Sequence, residues 1–137
     1  MTDKKPDDFE QYWQEILDGL AGIPARPEIE VVPMRNTDFA TAYGVHFTGL
    51  GPYRLFAYLS IPVGEGPFPA LYYTAGYGSV VTPIPQGVPN GIRSRYVTFS
   101  IAARGFRNAD RPYAAAFPGL LTDGIEDPTD YRLRSIV

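Results

Sequence analysis

Fourteen glycines and fourteen prolines interrupt these 137 residues. Such residues favour helix ends and turns, so their density argues against a helical bundle or coiled coil. Ten tyrosines and eight phenylalanines bias the remainder toward strands. The length is that of one domain and suffices to bury a core. Net charge is −3, with no cluster of lysine or arginine to release counterions, so nucleic acid is not an expected partner. The chain has no cysteine, which excludes disulfides, thiolate zinc sites and a cysteine nucleophile and fits a reducing compartment. No apolar run approaches the roughly 18 residues of a membrane span, and no apolar segment follows the charged start. No membrane partner, no signal peptide and a cytoplasmic location are therefore expected.

Histidine occurs once, as His46. A Ser-His-Asp triad would depend on that residue alone, and a multi-histidine metal site cannot form within one chain. No cofactor and no metal are expected.

Residues 7–21 carry one apolar stripe, Phe9, Trp13, Ile16, Leu17 and Leu20, at helical spacing. Asp7 with Glu10 predicts an N-cap with an acidic partner, and Gly19, Gly22 and Pro24 end the helix. Residues 24–33 read as an extended lead-in. The period then becomes two. Tyr43, Val45 and Phe47 alternate with Gly44, His46 and Thr48, and after the turn signal Gly49-Leu50-Gly51-Pro52 come Leu55, Ala57, Leu59 and Ile61 on one face. This predicts an antiparallel hairpin. Residues 70–74 are short and apolar, as expected of a strand covered on both faces. A second strand is predicted over 95–102, with about twenty residues between the two, enough for a crossover. Asp127-Pro128-Thr129-Asp130 starts a helix whose pattern, Tyr131, Leu133 and Ile136, has only begun when the sequence stops. The expectation is a helix cut rather than finished, and hence a truncated domain spanning 1–137.

Ala75-Gly76-Tyr77-Gly78-Ser79 follows the 70–74 strand. Glycines there allow a sharp turn and aim N–H groups outward. Either this is a plain turn, or the Tyr77 N–H serves as an oxyanion donor flanked by Gly76 and Gly78. His46 lies opposite the apolar face and reads as a half-exposed strand residue. No Gly-x-Ser-x-Gly elbow occurs. The acidic 123–130 stretch lacks the ligand order of a calcium loop and reads as solvated. Arg104, Arg107 and Arg111 read as partners for nearby acids.

Together these segments resemble the N-terminal half of the acetyl xylan esterase / cephalosporin-C deacetylase family of α/β-hydrolases (carbohydrate esterase family 7). Asp8-Phe9-Glu10-Gln11-Tyr12-Trp13 stands where that family has its opening helix motif. Tyr43-Gly44-Val45-His46-Phe47-Thr48-Gly49 is similar to its hairpin, and residues 55–62 to the strand that leads to a proline. Residues 69–78 resemble its strand and oxyanion turn, Arg104-Gly105 its Arg-Gly-Gln-Gly turn, and residues 117–127 with Tyr131 and Arg132 its Pro-Gly-x-(Leu/Met)-Thr-x-Gly-Ile and Tyr-Tyr-x-Arg segment.

The resemblance implies an α/β fold: an incomplete α/β-hydrolase sheet with an N-terminal helix and an antiparallel hairpin leading into parallel strands. It implies a serine esterase that removes acetyl from sugars or small alcohols, with Tyr77 at the family's oxyanion tyrosine and Gly76 and Gly78 beside the substrate. Three departures from the family pattern imply a reshaped turn after the second strand: Ala102 stands for an aspartate, Phe106 for the glutamine and Arg107 for the second glycine. The family's nucleophile, second oxyanion donor, acid and histidine have no counterpart in these residues, so no catalytic residue is expected in this chain. Its expected partner is a small acetylated substrate, with a homo-oligomer or a complementing C-terminal chain left open. The other readings are a non-catalytic ligand-binding or interaction module, and a truncation product with no function of its own.

Overall fold

The computed structural model describes residues 5–49, 54–74, 90–102 and 126–127. Helix α1 (Phe9–Ala21) forms where the stripe predicts it, and the N–H of Gly22 closes it on the Leu20 carbonyl. Its start differs from the expectation. Asp8, not Asp7, is the N-cap, and it makes no side-chain capping bond. A capping side chain needs extended backbone to reach the N2 or N3 N–H, whereas Asp8 has φ −92° and ψ 3°. Glu10 instead pairs with Lys5. The buried line is also narrower than the stripe. Ile16 is buried and Tyr12 and Trp13 half-buried, while Phe9, Leu17 and Leu20 stay exposed. Phe9 and Tyr12 meet the Trp13 ring edge-on.

The residues expected as an extended lead-in hold strand β1 (Glu28–Val31), followed by a 3-10 turn (Pro33–Arg35). Then come β2 (Ala40–Thr48), β3 (Arg54–Pro62), β4 (Ala70–Tyr73), a single helical turn α2 (Asn90–Arg93) and β5 (Val97–Ala102). They build one five-stranded sheet in the order β1-β2-β3-β5-β4. β2 and β3 form the expected antiparallel hairpin, and β4 pairs with β5 in parallel across the expected crossover. β5 starts at Val97 rather than Arg95, because the N–H groups of Arg95 and Tyr96 both donate back to the Ile92 carbonyl.

Directly opposed residues share a face of a sheet, and the register sorts the side chains accordingly. Tyr43 lies opposite Leu59, Val45 opposite Ala57 and Phe47 opposite Leu55. These form one apolar face, as the alternation predicts. The fully buried cluster nevertheless lies on the other face. There Ala42, Phe56, Tyr58 and Ala102 pack with Val32, and Ser60, Thr98 and Ser100 are buried as well. Alternation identifies the two faces, but which one is covered depends on the elements laid across it. Val32 and α2 lie on the side of Phe56 and Ser60. On the apolar face Leu59 and Phe99 are half-buried, and Ile29, Val31 and Tyr72 are exposed.

β4 corrects another expectation. Its alternate residues Ala70 and Tyr72 are exposed, and Leu71 and Tyr73 only half-buried. With one face exposed it is not the doubly covered strand its composition suggests, and among the described residues it also lies at the edge of the sheet, with β5 on one side.

Gly49 closes β2 and is buried. A Cβ there would stand 2.7 Å from Leu55 Cδ1 and 3.2 Å from its Cγ. Gly49→Ala must push the leucine aside within the hairpin. The expected loss is about 1–2 kcal/mol, read from urea unfolding midpoints at unchanged slope. An unchanged midpoint would show that Leu55 has room to turn.

Candidate active-site edge of the sheet

Parallel strands put their carboxyl ends on the same edge, and in open α/β sheets ligands bind just beyond that edge. β4 and β5 are the parallel pair, with Ala70 beside Val97 and Tyr73 beside Ser100. The pair is well fastened. The Val97 N–H donates to the Pro69 carbonyl at 2.9 Å, and the Tyr72 ring stacks on Phe99 at 6.1 Å and 20°. β4 leads through Thr74 into Gly76-Tyr77-Gly78, and β5 leads into Arg104-Gly105. Both segments singled out in the sequence therefore depart from one edge by connectivity alone. Gly76, Tyr77 and Gly78 themselves lie outside the described residues. So do Arg104, Arg107 and Arg111, and the helix expected from residue 129.

His46 is half-buried, with its ring 5.0 Å from that of Phe56. It stands opposite Phe56, which in turn stands opposite Ala102, the last residue of β5. His46 thus shares the row that ends at the carboxyl edge. β4, however, is three strands away, about 14 Å at ~4.8 Å per strand, far beyond a hydrogen bond of ~3 Å. The strand-residue reading of His46 fits this geometry. Glu126 and Asp127 are exposed. Among the described residues no group of three or more histidines, cysteines or acids could hold a metal ion.

One residue that the sequence reading passed over is conspicuous. Arg93, the last residue of α2, is 2% exposed. Its Nε donates to Ser60 Oγ at 3.1 Å, and its Nη2 donates to the Arg35 carbonyl at 2.7 Å. Burial, and then the nearby Arg35 guanidinium, lower its pKa from the ordinary arginine value. No local pattern announces it. A lone arginine after a Gly/Pro-rich stretch reads as solvated, and its partners lie 33 and 58 positions away.

The acetyl xylan esterase family model (AXE1) matches residues 1–137, the whole chain. The chain belongs to the acetyl xylan esterase family. Among solved structures, acetyl xylan esterase 1 from Thermoanaerobacterium sp. JW/SL YS485 is similar at 25% identity with a TM-score of 0.73. That likeness covers 96% of this chain and 42% of the Thermoanaerobacterium one. An acetyl xylan esterase from Paenibacillus sp. R4 shares the fold at 22% identity and a TM-score of 0.70, with 96% and 44% covered. The acetyl xylan esterase-like chain thus spans less than half the length of the solved esterases it matches. Among its described residues no helix is long and apolar enough to cross a membrane.

Proposed function

We propose that these residues form the oxyanion side of a serine esterase that removes acetyl groups from sugars or similar small alcohols in the cytosol. The observation that supports this best is the family match over the whole chain, with the carboxyl edge of β4 leading directly into Gly76-Tyr77-Gly78. In such a reaction a serine Oγ attacks the ester carbonyl, and negative charge appears on the carbonyl oxygen. A backbone N–H held 2.7–3.1 Å from that oxygen stabilises the tetrahedral state more than the flat ester. The Tyr77 N–H is assigned that role, and Gly76 and Gly78 leave room for the acyl group. The alcohol then departs, and water releases acetate from the serine. With no Gly-x-Ser-x-Gly in the sequence and His46 about three strands from β4, the nucleophile and its base belong to residues outside these 137.

This division of labour is tested with p-nitrophenyl acetate and an acetylated sugar. The 137-residue chain alone is expected to give no acyl-enzyme burst, since a donor without an activated nucleophile leaves only weak catalysis. A protein carrying these residues together with a serine elbow is expected to release acetate from both. A stoichiometric burst from the short chain would overturn the assignment of the nucleophile. Failure of the longer protein on both esters would overturn the acetyl specificity.

A further inference from the structure

We infer that Arg93 seats a small oxyanion of the carboxylate class, gripped by the unused edge of its guanidinium on the covered face of the sheet. The inference stands apart from the oxyanion-turn reading and uses none of its residues.

A buried cation must be answered by something. Arginine keeps its proton at any ordinary pH, and taking a guanidinium out of water costs more than neutral hydrogen bonds alone return. Arg93 is 2% exposed, so most of its hydration is gone. What replaces that hydration is two neutral acceptors. Ser60 Oγ takes the Nε hydrogen at 3.1 Å, and the Arg35 carbonyl takes one from Nη2 at 2.7 Å. Among the described residues no carboxylate pairs with Arg93. The charge that acts on it has its own sign. After burial itself, the Arg35 guanidinium is what lowers its pKa. Two cations from segments 58 positions apart thus share one place in the fold.

The donors left over fit one kind of ligand. A guanidinium carries one hydrogen on Nε and two on each Nη. With Nε and one Nη2 hydrogen taken, the Nη1 group and the second Nη2 hydrogen remain side by side. Two parallel N–H groups of this kind hold both oxygens of a carboxylate, or two oxygens of a phosphate. The sheet beneath is polar as well. Ser60 lies opposite Thr98, and both are buried. Directly opposed residues share a face with their Cβ atoms about 5 Å apart, so the Thr98 hydroxyl is a further donor on that face. A cation or an apolar ligand gains nothing in such a place.

The oxyanion comes either from solution or from a carboxylate elsewhere in the chain, and one experiment separates the two. Amide exchange on β3 and β5 of the 137-residue chain is followed while sodium acetate, and separately inorganic phosphate, replaces sodium chloride at constant ionic strength. A dissolved anion in the seat raises protection with saturating binding, about elevenfold at ten times its Kd. Arg93→Met should abolish that dependence. Arg93→Lys keeps the charge without the paired donors and should weaken the anion about tenfold or more. If a carboxylate of the chain holds the seat, the parent is insensitive to both anions. One of Asp3→Asn, Asp110→Asn, Asp123→Asn and Asp130→Asn, the aspartates outside the described residues, then becomes sensitive. Insensitivity in the parent and in all four aspartate variants would overturn the inference. So would a dependence that Arg93→Lys retains in full, because a general salt effect does not need the fork. Should Arg93→Met fail to fold, Arg93→Lys carries the test.

Discussion

On the proposed oxyanion role, Tyr77→Pro is expected to lower kcat of a protein carrying these residues together with a serine elbow by about 100- to 1,000-fold, the usual cost of one missing oxyanion donor. Proline has no backbone N–H, so the substitution removes the assigned group rather than the phenol. Tyr77→Phe and Tyr77→Ala keep the N–H and are expected to stay within about tenfold of the parent. That contrast identifies a main-chain role, because a side-chain role would order the three variants differently. KM should change little, since the donor acts on charge that develops only after attack. Proline also restricts the residue before it, so each variant needs a thermal melt beside its kinetics. A Tyr77→Pro enzyme with a normal melt and more than about a third of parental kcat would remove Tyr77 from the site.

Phe56→Ala is expected to cost about 3–5 kcal/mol, against a total of about 5–15 kcal/mol for a typical domain. The ring is fully buried, 5.0 Å from the His46 ring and 4.8 Å from Tyr58, which it meets edge-on. It also stands opposite Ala102 at the end of β5. Ala42 and Ala102 on the neighbouring strands are too small to fill the space it leaves. The chain should lose its cooperative thermal transition or melt far below the parent. Phe56→Leu keeps most of the volume and should cost about 1–2 kcal/mol. Equal melting of the alanine and leucine variants would mean that the core does not centre on this ring.

The elements that the sequence announces are those whose signal is local. The stripe from Phe9 to Leu20 forms α1, and the alternation from Tyr43 through Ile61 sets the hairpin and its register. The crossover follows from the spacing of two apolar runs. What escapes the sequence is set between distant segments. Which face of β2 and β3 is covered depends on Val32 and α2, and neither affects the period-two pattern. The capping box expected from Asp7 gives way to an N-cap at Asp8, whose backbone angles, which residue types do not dictate, leave it without a side-chain capping bond. β4 reads as doubly covered because its residues are apolar, yet the face of Ala70 and Tyr72 is exposed, and what lies over a face is not written in the strand's own residues. Within the candidate site, Gly76-Tyr77-Gly78 is visible as a motif, and the parallel pair adds the edge from which it departs. Arg93 escapes notice because a buried cation looks like any surface arginine until its partners are known.

Among the described residues the two rims of the sheet are chemically unlike. β1 alternates Glu28 and Glu30 with Ile29 and Val31, and charges on a border strand discourage a further strand from adding to it. β4 runs Ala-Leu-Tyr-Tyr and carries no charge. Sheet growth therefore has a direction. A strand arriving at β1 must desolvate two carboxylates, whereas one arriving at β4 meets only main-chain donors, acceptors and aromatic rings. Among the described residues one border of the sheet is therefore guarded by charge, and the other stands open to a partner strand.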